Sequence, residues 1–140
     1  MRERVRVSRG WLAAIAVVAV AFSAACGSSN GPTNPGLTAA ELVGSYNLAS
    51  LTLGASQPLT PPTATGTLML TLTNYNLTLN LPSGTQVDSG TWSVRGSTWT
   101  QSSSVSPEQE QGTASLSHDT LSVNLTAGGT TISSVWVKQQ

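Results

Sequence analysis

Gly90 to Thr100 reads GTWSVRGSTWT, and Gly112 to Ser122 reads GTASLSHDTLS. Aligned, Val94 falls on Leu116, Thr98 on Thr120 and Trp99 on Leu121. Each stretch alternates apolar and polar residues, breaks at a short polar pair, and alternates again. Period-two alternation is the pattern of a strand with one buried and one wet face. The breaks fall at Gly96-Ser97 and His118-Asp119, residue types that tolerate the positive φ of a tight hairpin turn. Each stretch therefore reads as a β-hairpin, and a third Gly-Thr pair at Gly66-Thr67 opens a looser copy. The three glycines stand 24 and 22 residues apart.

The same alternation extends outward on both sides. Leu68, Leu70 and Leu72 alternate with Met69, Thr71 and Thr73. Leu77, Leu79 and Leu81 alternate with Thr78 and Asn80, and Leu121, Val123 and Leu125 with Ser122, Asn124 and Thr126. Threonine on the wet face suits a strand, because β-branching fits the pleated surface. No segment sustains a 3.6-residue period, and Thr38-Ala39-Ala40-Glu41-Leu42 has room for one helical turn, with Thr38 as N-cap. The pattern predicts eight strands over 44–53, 65–73, 75–81, 90–95, 98–103, 110–116, 120–126 and 130–138. Consecutive hairpins form an antiparallel up-and-down meander, and eight such strands can close into a small all-β barrel without exposed edges. The polar, proline-containing stretch Gly54 to Thr63 is expected as a loop at one rim.

The first 25 residues have a different character. Arg2, Arg4, Arg6 and Arg9 precede an uncharged run from Trp11 to Phe22, followed by Ser23-Ala24-Ala25 and Cys26. A basic head, a short apolar run and small residues make up an export signal. The run is shorter than the roughly 20 residues that a spanning helix needs. Residues 1–25 are thus expected to be a signal peptide, residues 26–36 (a Gly/Ser/Pro-rich stretch) a flexible tether, and residues 37–140 the folded domain. Ser23-Ala24-Ala25-Cys26 resembles the lipobox of bacterial lipoproteins, with Ser23 where that family usually carries leucine. The resemblance implies cleavage before Cys26, lipidation of Cys26, and a membrane anchor in the cell envelope. Each buried CH₂ of the acyl chains contributes about 0.8 kcal/mol. An ordinary signal cleavage after Ala25, leaving a free thiol, is the other reading. Gly27 is not the aspartate that marks inner-membrane retention in some bacteria, which favours the outer membrane.

Beyond Cys26 only Arg95 and Lys138 are basic, against Glu41, Asp88, Glu108, Glu110 and Asp119, a net charge of −3. That excludes nucleic acid as a partner, since phosphate binding needs clustered Lys and Arg. Cys26 is the single cysteine, so no intrachain disulfide supports the domain.

Leu42-Val43-Gly44-Ser45-Tyr46 resembles the Gly-x-Trp opening of lipocalin-like domains, with Tyr46 in place of tryptophan, and Gly90 to Thr98 resembles the hairpins of small bacterial lipocalin-like lipoproteins. This resemblance covers about residues 37–139. It implies a calyx-shaped barrel that binds a small hydrophobic ligand, with Tyr46, Trp92, Trp99 and Trp136 as the aromatics of its cavity. Those aromatics are equally suited to a solid core, Trp92 being in phase with Val94. A solid barrel would point instead to a structural module that meets an envelope protein partner.

Enzymatic chemistry is not expected. His118, the single histidine, falls at a hairpin tip, where a triad base cannot be oriented by buried partners. No Gly-x-Ser-x-Gly sequence falls within residues 37–140, where a strand-to-helix nucleophile elbow would have to lie. No Cys pair, His pair or calcium-loop spacing points to a metal or cofactor. Nothing among the five acids singles out a glycosidase pair.

Overall fold

The computed structural model describes residues 36–106 and 108–140; the expected signal peptide over 1–25, Cys26 and all of the expected tether except Gly36 lie outside them. Eight antiparallel strands follow one short helix: α1 (Ala39–Leu42), β1 (Gly44–Leu53), β2 (Thr65–Leu70), β3 (Asn74–Leu81), β4 (Gly84–Arg95), β5 (Thr98–Ser103), β6 (Gln109–Ser117), β7 (Thr120–Ala127) and β8 (Thr130–Lys138). Each strand pairs with the next, and β1 pairs with β8, so the meander closes into a barrel.

Closure demands that strands bend, and the Gly-Thr repeat supplies the bends. Gly66, Gly90 and Gly112 fall at the alternation positions shared with Leu68, Trp92 and Ala114, which are buried. A Cβ on Gly90 would overlap the Ser102 carbonyl, and one on Gly112 the Asn124 carbonyl. At Gly66 it would lie 2.7 Å from the Thr78 carbonyl oxygen. Glycine lets the backbone of the neighbouring strand approach on the concave side. A bulge between Leu48 and Ser50 adds to the bending of β1 and moves its buried set from Tyr46 and Leu48 to Leu51.

The turns follow the sequence. Gly96 and His118 each open a two-residue tip with positive φ, at 64° and 55°. Gly128 and Gly129, at 55° and 79°, join β7 to β8, the double positive φ of a type I′ turn. At the start of the domain the Glu41 carboxylate accepts hydrogen bonds of 2.8 Å from both the amide and the hydroxyl of Thr38, which fixes the helical turn.

Two strand bounds differ from expectation by more than one residue. β2 ends at Leu70, not at residue 73, because Thr71 and Asn74 close a turn: the Asn74 amide donates to the Thr71 hydroxyl at 3.0 Å, and the Thr71 amide to the Asn74 carbonyl at 2.9 Å. Leu72 continues the sequence alternation but is 61% exposed. β4 begins at Gly84, six residues before its expected start at Gly90, and pairs with β3 from Leu81↔Gly84 to Asn74↔Thr91. Its first half, GTQVDS, has no apolar alternation because Gln86 and Asp88 occupy the inward positions.

The two ends of the barrel differ. At one, α1 packs in as a plug: Leu42 is fully buried, and the Tyr46 hydroxyl donates to its carbonyl at 2.9 Å. The chain enters here, with Leu37 bridging to Gly96. At the other end lie the Pro82-Ser83 and Gly128-Gly129 turns and the long loop after β1, held where Leu59 pairs with Leu51.

Replacing glycine by alanine in a strand normally stabilises by up to about 1 kcal/mol through the unfolded chain. Here the overlap is with backbone that cannot step aside, and overpacking costs about 1–3 kcal/mol. Gly112→Ala should therefore lower the urea midpoint by an amount worth about 2 kcal/mol; an unchanged or raised midpoint would show that this glycine is not a bend.

Candidate functional site

The interior is filled at the plugged end and hollow at the other. A cavity of about 360 Å³ opens between the β3–β4 turn, the β7–β8 turn and the loop joining β5 to β6. That volume is at the low end of small-molecule sites. Its floor is aromatic: Trp99 and Trp136, both toward the plugged ends of their strands, face it. One wall, from β1, β7 and β8, is aliphatic, with Leu51, Val123, Leu125 and Ile132. Val87 and Val105, 69% and 76% exposed, stand at the rim.

The four aromatics expected at the site divide into two pairs. Trp99 and Trp136 line the cavity; Tyr46 and Trp92 do not and belong to the packed base beneath it. Tyr46 is held against α1 by its hydrogen bond to Leu42, and the Lys138 ammonium lies 5.8 Å from its ring centre. Trp92 stacks on Trp99 with ring centres 4.7 Å apart and an interplanar angle of 20°. Its indole N–H donates to the Thr71 and Asn74 carbonyls at 3.0 and 3.1 Å, tying the β2–β3 turn to the base. Trp92 thus supports the cavity floor from below.

The opposite wall is polar, and none of its groups was expected at the site. Tyr75 on β3 donates its hydroxyl to Asp88 on β4 at 2.7 Å. Asp88 also accepts from the Ser103 hydroxyl on β5 and from the Ser89 amide. On the next strands the Trp99 indole donates to Gln101 at 2.9 Å, and the Gln101 amide donates to Glu110 at 2.7 Å. Tyr75, Asp88, Gln101 and Glu110 all face the cavity. Among the described residues no lysine, arginine or histidine is in its lining. The sequence signal for this band was slight: in Gln86, Asp88, Gly90 and Trp92, polar residues occupy the same alternation phase as the buried tryptophan.

His118 stands exposed at the β6–β7 tip, at the plugged end of the barrel, with its ring Nδ1 3.4 Å from the Ser117 hydroxyl. It has no place in the cavity. Among the described residues no group of three or more His, Cys, Asp and Glu side chains gathers as a metal site.

No protein-family model matches the chain, and no curated protein sequence matches it. A crystal structure at 2.60 Å of an uncharacterized protein from Bacteroides eggerthii is similar at a TM-score of 0.48 and 10% identity, covering 69% of this chain and 98% of that one.

Burial and then the Asp88 hydrogen bond and charge, with Glu110 adding, push the Tyr75 phenol far above its usual range. Burial and the Asp119 charge raise Tyr46. The Tyr75 phenol stays neutral in the folded state when that of an unfolded chain ionises, near 10.0. The resulting stability is fully present below that pH and is lost as the pH rises above it. Absorbance titration at 295 nm should find that one of the two tyrosines does not ionise near pH 10 before unfolding begins. In Asp88→Asn one phenol should titrate earlier, though still late because burial is the larger cause. An ordinary titration in the native protein would contradict the buried Tyr75–Asp88 pair.

Proposed function

We propose that this is an exported envelope protein, anchored through lipid on Cys26, whose barrel binds a small hydrophobic ligand and performs no catalysis. The observation that carries the binding reading is the hollow end: a cavity of about 360 Å³ with an aromatic floor and an aliphatic wall. A barrel serving only as a rigid module has no need for such a space, since eight strands leave an interior that side chains can fill. The filled end of this same barrel, with Leu42, Tyr46, Leu70 and Leu121 at 1% exposure or less, illustrates the alternative within one molecule. The lipocalin-like opening at Gly44-Ser45-Tyr46 supports the same reading. The export signal and lipobox-like Ser23-Ala24-Ala25-Cys26 support the anchor and the envelope address, with the outer membrane favoured by Gly27. The described chain begins at the plugged end, where Leu37 bridges to Gly96, opposite the cavity mouth.

The neutral probe N-phenylnaphthylamine should bind the domain with a fluorescence gain. Leu77→Trp, which places bulk in the cavity from a half-buried wall position, should weaken that binding at least tenfold with little change in thermal midpoint. No gain with the native domain would rule out the binding reading. In cells, Cys26→Ser should abolish incorporation of labelled palmitate and release the protein from the membrane fraction; retained label would refute lipidation at this residue.

A further inference from the structure

The charges of the domain are sorted along the barrel axis. Among the described residues Arg95, His118 and Lys138 are the basic side chains, and all three stand at the plugged end, in company with Glu41 and Asp119. Toward the mouth lie Asp88, Glu108 and Glu110, with no cation among the lining residues. Two of these acids, Asp88 and Glu110, face into the cavity and are half-buried. They stand on β4 and β6, either side of β5, and Asp88 accepts the Tyr75 hydroxyl.

Their hydrogen-bond capacity is used unequally. An ionised carboxylate has about four acceptor sites. Asp88 receives Tyr75, Ser103 and the Ser89 amide, which fixes it in place. Glu110 receives Gln101 and lines the cavity. Gln101 is in turn oriented by the Trp99 indole on the floor, so the glutamate is held by a chain of donors that starts in the packed base. A carboxylate beside apolar surface repels an anionic ligand and attracts a cation more strongly than it would in water.

Resting on the binding reading above, we propose that the cavity selects amphiphiles with a cationic head, such as a protonated alkylamine, over fatty acids and neutral alcohols of the same length. The alkyl chain lies on Trp99, Trp136 and the aliphatic wall. The ammonium sits at the polar wall, donating to Glu110 and within the field of Asp88. An anionic head would bring a third negative charge to a wall with no cation to receive it.

The test uses residues 36–140, whose strands close on one another and whose plug is internal to that span. Decylamine, decanol and decanoate, each below its micelle concentration at pH 7, are titrated against bound N-phenylnaphthylamine. Decylamine should displace the probe at a concentration at least tenfold below decanol, and decanoate should be the weakest. In Glu110→Gln the amine-to-alcohol ratio should fall at least fivefold, with Asp88→Asn as a second variant whose folding is checked by circular dichroism. The advantage should also shrink in 1 M salt to the degree that the head group remains wet. Equal displacement by all three ligands would overturn the head-group assignment while leaving a hydrophobic site. Stronger displacement by decanoate would overturn it outright. Probe binding that none of the three can displace would place the probe outside the cavity and remove both readings together.

Discussion

The ladder between β1 and β8 is the constraint on which everything else rests. It joins residues that are as far apart in sequence as any paired set in the domain, from Tyr46↔Lys138 to Leu53↔Ile132. A flat meander of eight strands would leave these two as exposed edges, each a template for pairing with another chain. They meet because the strands between them coil, and the coiling is paid in glycine: Gly66, Gly90 and Gly112 give up side chains where neighbouring carbonyls crowd the concave face. The bulge in β1 then re-phases its inward residues so that Leu51 faces the interior after Leu48.

A closed eight-stranded barrel has an interior that must be filled at both ends or left open at one. Here the plugged end is filled by its own sequence: α1 delivers Leu42, Tyr46 fastens it, and the Trp92–Trp99 stack completes the layer. At the far end the inward positions of β4 and β6 fall to polar residues. Gln86, Asp88 and Glu110 take positions where leucine would have closed the core.

Most of the fold was legible because most strands bury one face and wet the other. The two hairpin tips, the helical turn at Thr38 to Leu42 and the order of the strands could be read from local residue types, since each depends on neighbours a few positions away. What escaped the sequence was whatever breaks the inward-apolar rule. Gly84 to Ser89 forms half a strand with polar residues facing in. Leu72 keeps the apolar phase yet is exposed past a turn made by threonine and asparagine. The polar wall of the cavity escaped for the same reason. Tyr75 and Asp88 are thirteen residues apart and meet across the β3–β4 ladder, while Gln101 and Glu110 meet across β5–β6; neither pair has a spacing that marks it. Aromatic residues were visible as large apolar groups, but their depth along the barrel axis, which separates Trp99 and Trp136 from Tyr46 and Trp92, depends on strand stagger and not on composition.

The account depends above all on the hollow end accepting an occupant. Native mass spectrometry of residues 36–140, after exposure to a total lipid extract of a bacterial envelope, tests this directly. A discrete added mass in one-to-one ratio, absent when the cavity is filled by Leu77→Trp, is the predicted result. A bare protein mass under conditions gentle enough to keep known lipid complexes intact would contradict it.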